Sequence, residues 1–412
     1  MTSRLLIPAM AVALMIASCT GADSPVIRPD QPVPPVDPVP EQPDEGFVDR
    51  GFDLPTLVID TPDSAPIVSK TEWIDGARAQ LWSPQGRLTD LGTLSVKGRG
   101  NNTWRRDKKP YAIRLDKASE LLGMPSDRRW DLLANWLDIT KLRNDITFEL
   151  ARCCKGLAWT PHGEYVELVL NGVHLGNYYL VEHIKMDSQR VNIPEGGYIV
   201  EFDSYYDEEF KFRTSIKDLP VNLKHPDDES AAALLPMVKY DINGAEFVIT
   251  RGQDLGAVID LDSFIDFFIV NEITGNRELR HPKSTYFHKA PDGLLTAGPV
   301  WDFDYGTFLE SKVSGWFCNE TLWYKELFGY PEFVSGLKSQ WNLYRRDLYA
   351  VLGYLNKRAD HIRQSVRRDN GMWPVTVDTN KDNNLTYDQA VDRLRAVLAE
   401  RLNWLDASIR DL

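Results

Sequence analysis

The segment "GPVWDFDYGTF", residues 298 to 308, places two carboxylates one residue apart among aromatic side chains. Asp302 and Asp304 follow an apolar run and stand directly before Tyr305 and Gly306. Carboxylates are rarely buried without a partner. If the segment is an extended strand, both side chains face the same side. Both could then reach one cation, and the alternative is a pair of structural carboxylates that cap backbone amides.

A second stretch of chemical interest is strongly basic. Residues 93 to 117, "TLSVKGRGNNTWRRDKKPYAIRLDK", predict strand, loop and strand, because residues 111 to 115 alternate between apolar and polar. The loop gathers six cations and two glycines, namely Lys97, Arg99, Arg105, Arg106, Lys108 and Lys109 with Gly98 and Gly100. A positive, flexible loop is suited to phosphate oxygens. A solvated hairpin tip is the alternative.

The composition limits the classes of protein that these segments can belong to. The chain has 412 residues, 43% of them hydrophobic, with 12 Trp, 16 Tyr and 16 Phe, which is enough for a large two-lobed domain with a substantial core. The formal net charge of -13 argues against a general nucleic-acid binder, which usually carries a basic face. We therefore expect no nucleic-acid partner.

The N-terminus predicts a membrane-anchored protein outside the cytoplasm. Residues 1–19 have one early charge, Arg4, and an apolar run too short to span a bilayer. The run ends in Ile16-Ala17-Ser18-Cys19, which resembles a bacterial lipobox whose cysteine becomes the lipidated first residue. An ordinary signal peptide with an incidental Cys19 is the alternative. Thr20, not Asp, follows the cysteine, which by resemblance to the enterobacterial sorting rule favours the outer membrane. The proline-rich residues 20–46 predict an extended tether.

The elements of residues 47–412 predict an α+β fold, β-rich in its first half and helix-rich in its second. Asn171-Gly172 predicts the turn of a hairpin, and "GGYIVEFD" a further strand. "IDLDSFIDFFIVNEITG" predicts a buried helix capped by Asp260 or Asp262. Residues 378–389, "DTNKDNNLTYDQ", resemble the start of a Ca²⁺ loop but lack its Gly and its final Glu, so a polar loop that caps the last helix is favoured. Cys153, Cys154 and Cys318 predict buried thiols, with one bridge from Cys318 left open.

Four segments together resemble the CotH (spore-coat protein H-like) family of atypical protein kinases. They are "KGRGNNTWRRDKKPYAIRLDK", "LLANWLDITKLRND", "LNGVHLGNYYLVEHI" and "GPVWDFDYGTF", in that order along the chain. The resemblance implies a divergent two-lobed kinase-like fold, with lobes at about residues 47–203 and 204–412. It also implies transfer of the ATP γ-phosphate to Ser of secreted or surface proteins.

The resemblance assigns roles to particular residues. The "WDFD" segment stands where ordinary kinases carry Asp-Phe-Gly, so Asp302 and Asp304 would bind Mg²⁺ or Mn²⁺. The nucleotide-binding candidates are Arg99, Lys109 and Arg114 for phosphate and Glu182 as a carboxylate that positions a lysine. An exposed strand residue is the alternative for Glu182.

One segment departs from the family pattern. The sequence "GNRELRHPKSTYFHK" has Glu278 near the position of the catalytic Asp and Ser284 near that of an Asn. A Glu is longer by one methylene, and misplacements of about 1 Å can cost about a hundredfold in rate. A kinase and a non-catalytic nucleotide-binding pseudokinase or surface assembly lipoprotein therefore both stay open. A glycosidase is a third alternative. It would need two carboxyls that face one pocket across a sugar, and Asp302 and Asp304 are too near in sequence to show this.

Changing Cys19 to Ser tests the predicted anchor. Without the lipidated cysteine, we expect the mature protein to move from the membrane fraction to the soluble fraction. Fractionation of cells that process lipoproteins, followed by immunoblotting, measures this distribution. Unchanged retention of the Cys19→Ser variant in the membrane would contradict the prediction.

Overall fold

The computed structural model describes residues 51–412, so the predicted signal peptide, Cys19 and the proline-rich tether lie outside the described residues. The first half of the described chain forms seven strands and a helix. The strands are β1 (Thr56–Asp60), β2 (Ile74–Trp82), β3 (Leu88–Gly98), β4 (Tyr111–Leu121), β5 (Met124–Leu133), β6 (Gly163–Leu170) and β7 (Val173–Glu182), and the helix α1 (Arg143–Cys153) lies between β5 and β6.

The seven strands close into a barrel in the spatial order β1-β2-β3-β4-β5-β7-β6. Neighbouring strands are antiparallel except at the closure, where β1 pairs with β6 in parallel, from Thr56 opposite Glu167 onward. Alternation turns one face of each strand inward, and the interior is filled by fully buried side chains such as Leu57, Leu94 and Trp130. At the tip of the β6–β7 hairpin, Asn171 and Gly172 both have positive φ, which confirms the predicted turn.

The second half forms a five-stranded sheet and five more helices. The strands are β8 (Tyr198–Phe202), β9 (Lys211–Arg213), β10 (Pro220–His225), β11 (Thr285–Lys289) and β12 (Thr296–Ala297), in the order β12-β11-β8-β10-β9. The helices are α2 (Ser230–Arg251), α3 (Leu261–Thr274), α4 (Tyr324–Leu327), α5 (Pro331–Met372) and α6 (Tyr387–Asp411). None of the helices within residues 51–412 is long and apolar enough to cross a bilayer.

Helix α3 is the centre of the helical half. From Ser263 to Thr274 every side chain is buried, the Asp260 carboxylate accepts a hydrogen bond from the Ser263 amide at 3.3 Å, and the helix ends at Gly275 with φ of 59°. The predicted buried helix and its cap are confirmed. Helix α5 packs beside it and spans 42 residues, with buried positions every three or four residues along its length.

The predicted α+β class is confirmed, and the division into two kinase-like lobes stays a prediction. Strand β8 precedes the expected lobe boundary at residue 203 but pairs with β10 and β11, which both follow it. The three cysteines of the described region carry free thiols, with Cys154 and Cys318 buried, so no bridge joins them. This agrees with the expectation of buried thiols at Cys154 and Cys318, whereas Cys153 is partly exposed.

A buried acid in α3 makes the stability of this half depend on pH. One oxygen of Asp266 accepts a hydrogen bond from the Gly156 amide at 2.6 Å, and none of the described cations forms an ion pair with it. Burial, assisted by the nearby carboxylates of Asp262 and Asp260, raises the pKa of Asp266 to about 7 against the opposing effect of its hydrogen bonds. The folded protein therefore binds a proton that the unfolded chain, with an Asp pKa of about 3.9, has already lost.

We expect the free energy of unfolding of the parent to fall as pH rises from about 4 to 7, and the Asp266→Asn variant to lack this fall. Across that interval the folded state holds more protons than the unfolded state, so the free energy of unfolding falls by about 1.4 kcal/mol for each unit of pKa shift. The variant should melt higher than the parent at pH 8 and similarly at pH 4. Asp292→Asn, a change at an exposed turn carboxylate, is the control. If the melting temperatures of Asp266→Asn and of the parent change with pH in the same way, the assignment is contradicted.

Candidate functional site

A cavity of about 700 Å³ is lined by residues of the barrel, of the five-stranded sheet and of the segment that follows β12. This volume is within the range of small-molecule sites, about 300–1,000 Å³. The barrel contributes the end of β3 and the loop after it, with Gly98, Arg99 and Gly100. The opposite wall carries carboxylates, so one cavity places cations and carboxylates side by side.

Three carboxylates crowd at one end of this cavity. Asp304 is only 4% exposed, and burial followed by the charges of Asp302, Asp138 and Glu278 raises its pKa well above the usual range. Burial and the charge of Asp302 also raise the pKa of Glu278 to about 8, although Lys283 lies 3.7 Å from its carboxylate. Ser284 donates a hydrogen bond to Asp302 at 3.3 Å. At this end of the cavity, carboxylates therefore outnumber the cationic side chains that pair with them.

The donor set at this end fits a divalent cation held together with a phosphate group. Within residues 51–412, neither Asp302 nor Asp304 forms an ion pair with a Lys, Arg or His. In the same part of the chain, no group of three or more His, Cys, Asp or Glu side chains is arranged to hold an ion alone. Mg²⁺ typically takes only one or two carboxylates and completes its coordination with water and substrate phosphates. Asp302 and Asp304 match that requirement.

The expectation that these two aspartates lie on an extended strand is wrong. Strand β12 ends at Ala297, and Asp302 has a positive φ of 68°. Asp tolerates this left-handed conformation better than most residues do. The chain therefore turns at Asp302, and the turn rather than the pleat of a strand brings the two side chains into contact.

Residues of the "LLANWLDITKLRND" segment hold this turn. The Asn144 side-chain oxygen accepts a hydrogen bond from the Phe303 amide at 2.6 Å, and Arg143 donates to the Thr307 carbonyl at 3.3 Å. The Asp138 carboxylate accepts a hydrogen bond from the Arg143 amide at 2.9 Å and forms an ion pair with the Arg143 guanidinium. Asp138, five residues before Arg143, therefore binds the first residue of α1. No local pattern in this segment indicates its contact with the turn, because the bonded residues lie more than 150 positions apart in the chain.

Arg99 connects the basic loop to the acidic turn. Its guanidinium lies 3.2 Å from Asp131 and stacks 5.4 Å from the ring centre of Trp301, the residue before Asp302. Asp131 also bonds the His183 ring at 3.0 Å, and despite burial Arg99 and His183 lower the pKa of Asp131 to about 2. Asp131 is thus the cavity carboxylate that positions a cation, a role that the sequence had suggested for Glu182.

Three cations surround one indole beside the cavity. Lys97, Arg114 and Arg129 lie 4.7, 4.9 and 5.1 Å from the ring centre of Trp73. Arg114 and Arg129 are directly opposite on β4 and β5, which is unfavourable for like charges. Burial and the charge of Arg129 lower the pKa of Lys97. Lys97 and Arg129 line the cavity, and the cluster is suited to an anion.

The structure does not bring three of the predicted residues to the cavity wall. Lys109 donates to the Trp104 carbonyl at 2.8 Å, and Arg114 reaches the cluster on Trp73 without lining the cavity. Glu182 is fully buried and pairs with Arg190 at 2.7 Å, not with a lysine. It lies opposite Trp130 in the β5–β7 pairing and so shares the face that turns into the barrel. Its neighbour His183 faces the cavity instead.

The 378–389 segment has protein partners where a Ca²⁺ loop would have ligands. Asp382 pairs with Arg143 at 2.9 Å. Thr386 and Gln389 form a capping box at the start of α6, which agrees with the favoured expectation of a capping loop.

Comparison with known proteins identifies a family. The family described as CotH kinase protein matches residues 96–405, most of the chain. No curated protein matches the sequence. The matched range includes the basic loop, the turn with Asp302 and Asp304, and the loop before α6.

Replacing Asp304 by Asn should stabilise the protein when no divalent metal is present. The amide keeps the shape of the carboxylate but is neutral at every pH, so it avoids the cost of a buried charge beside Asp302, and each kcal/mol gained raises the melting temperature by about 2 °C in a domain of this size. Adding Mn²⁺ with ATP should raise the melting temperature of the parent more than that of the variant. Asp292→Asn is the control. The assignment would be contradicted if Asp304→Asn melts at a lower temperature than the parent in chelator and Mn²⁺ with ATP raises both melting temperatures equally.

Proposed function

Because the chain belongs to the CotH kinase family, we propose that it is an extracytoplasmic protein kinase that transfers the γ-phosphate of ATP to a Ser hydroxyl of a secreted or surface protein. One observation carries the proposal. The same cavity holds Asp302 and the buried Asp304, which have no cationic partner among residues 51–412, and, on its other wall, Arg99, Lys97 and Arg129. Phosphoryl transfer depends mainly on positioning and on charge stabilisation of this kind.

Each wall of the cavity would meet a different part of the substrate. Asp302 and Asp304 would hold Mg²⁺ or Mn²⁺, which when bound offsets the charge on the phosphate oxygens. Arg99 is anchored by Asp131 and Trp301, so its guanidinium is presented in one orientation to an oxyanion. Lys97 and Arg129 supply further positive charge along the same wall.

Glu278 is the proposed acceptor of the hydroxyl proton. The Ser oxygen forms a bond to the γ-phosphorus, the bond from that phosphorus to the β,γ-bridging oxygen breaks, ADP leaves, and the proton passes to the Glu278 carboxylate. A pKa raised to about 8 by burial and Asp302 makes this carboxylate more basic than an ordinary Glu. A cation beside Asp302 would lower that pKa and favour the ionised form that can accept a proton.

The same raised pKa is the observation that favours a pseudokinase as the second candidate. At neutral pH, and with no metal ion bound at Asp302, most Glu278 side chains would carry a proton and could not accept another. In this alternative the cavity binds nucleotide and metal, and the protein acts as a surface lipoprotein in binding or assembly. Both candidates share the proposed anchor at Cys19 and the location at the cell envelope.

Separate substitutions distinguish the proposed metal ligands from the proposed base. Asp302→Asn should reduce both the thermal shift with Mn²⁺ and ATP and the transfer of phosphate, because it removes a metal ligand. Glu278→Gln should keep the shift, which is about 2.7 kcal/mol at a hundredfold excess over the dissociation constant, and lower transfer by about 10² to 10⁴. Mass spectrometry of autophosphorylation and melting curves measure the two effects.

The change Glu310→Gln, at an exposed glutamate, serves as the control for the Glu278 variant. If the parent binds ATP but labels nothing and Glu278→Asp alone gains transfer, the pseudokinase is the correct alternative. If Glu278→Gln transfers phosphate as fast as the parent, the assignment of the base is wrong.

A further inference from the structure

The loop between α5 and α6 does more than cap a helix. Capping accounts for Thr386 and Gln389, but Asn380 and Asp382, earlier in the same loop, are also buried, at 0% and 1% exposure. Polar side chains are seldom buried to this degree unless their hydrogen bonds are made within the protein. Their partners show what the loop holds.

Asn380 bonds the backbone on both sides of Tyr305. Its side-chain nitrogen donates to the Asp304 carbonyl at 2.8 Å, and its side-chain oxygen accepts from the Gly306 amide at 2.8 Å. The same nitrogen donates to the Leu137 carbonyl at 2.8 Å. Two carbonyls facing the nitrogen and one amide facing the oxygen fix the orientation of the side chain. An Asp has no donor for the two carbonyls, and a Ser has only one.

The loop that presents Asn380 is itself tied down. Arg393 of α6 donates to the Asn380 carbonyl at 2.5 Å. Asp382 pairs with Arg143, and Arg143 donates to the Thr307 carbonyl. The turn that carries Asp302 and Asp304 is thus bonded from the α5–α6 loop at residues 304 and 306 and from α1 at residue 307.

We propose that Asn380 is a positioning residue that fixes the backbone at Asp304, so that the Asp302 and Asp304 carboxylates are presented to a metal–phosphate ligand together. The partly buried Asp302 carboxylate and the buried Asp304 carboxylate are in contact and repel each other when both are ionised, and the turn can keep them together only if its backbone is restrained from outside. The role toward the metal rests on the proposed kinase function, whereas the restraint on the turn stands on the hydrogen bonds alone. Residues that orient metal ligands typically change metal affinity by about 10- to 100-fold when they are removed.

Asn380→Ala and Asn380→Ser test the proposal, with Asn383→Ala as the matched control. Asn383 lies in the same loop, but its side chain donates only to the Val375 carbonyl, at 3.2 Å. Binding of Mn²⁺ in the presence of ATP is measured by electron paramagnetic resonance, below the melting temperature of every variant. We expect both Asn380 variants to bind Mn²⁺ about tenfold or more weakly than the parent, and Asn383→Ala to bind like the parent even if its melting temperature falls.

Hydrogen exchange of the peptide spanning residues 302–308 gives a readout that needs no metal. The Gly306 amide donates a hydrogen bond to the Asn380 side chain. It should exchange faster in both Asn380 variants and at the parent rate in Asn383→Ala. Parent-like exchange and parent-like Mn²⁺ affinity in a folded Asn380→Ala would overturn the proposal, as would equal losses of affinity in Asn380→Ala and Asn383→Ala. A parent that binds no Mn²⁺ with ATP, while exchange still depends on Asn380, would overturn the kinase function but support the restraint on the turn.

Discussion

Repulsion between neighbouring carboxylates is the constraint around which the cavity is built. Asp302 and the buried Asp304 are in contact in one turn, with Glu278 and Asp138 nearby, and burial makes each added charge less favourable. The surrounding residues restrain the backbone of the turn and do not neutralise its carboxylates. Asn144, Arg143 and the α5–α6 loop form hydrogen bonds with backbone atoms of the turn instead of its side chains. The charge itself is left for a ligand.

A second set of buried ions joins the barrel to the helices. Asp369, near the end of α5, lies 2.6 Å from Lys108 and 3.2 Å from Lys141, and all three side chains are fully buried. Arg368, one residue earlier, pairs with Glu167 of β6 at 2.8 Å. Burial lowers the pKa of Lys108 to about 8, against the opposing effect of Asp369. Removing one partner from such a set leaves a charge uncompensated, which is far more costly than losing an exposed pair. The position of α5 relative to the barrel is therefore tightly specified.

Features encoded by adjacent residues could be predicted from the sequence, and features that depend on distant pairing could not. The β6–β7 turn follows from Asn171-Gly172, and the cap of α3 follows from Asp260. Closure of the barrel depends on β1 meeting β6, which no local pattern indicates. Likewise, the sequence indicated a carboxylate that positions a cation, but only the strand pairing shows that Asp131 faces the cavity while Glu182 faces inward. The hydrogen bond from Asn380 to Asp304 joins two loops far apart in the chain. From the sequence alone, the Asn380 side chain could therefore be interpreted only as part of the loop that caps the last helix.

The parallel pairing of β1 with β6 also determines how much of the chain forms one folding unit. The family match begins at residue 96, whereas β1, β2 and most of β3 precede it. A chain trimmed to the matched range would lose the strand that β6 pairs with on one side of the barrel. The exposed edge would present unpaired amides and carbonyls, which favour pairing with other chains, and the apolar interior around Leu168 and Leu180 would open to water. Residues before the matched range are therefore structural parts of the barrel, and an intact barrel requires a chain that extends at least to β1.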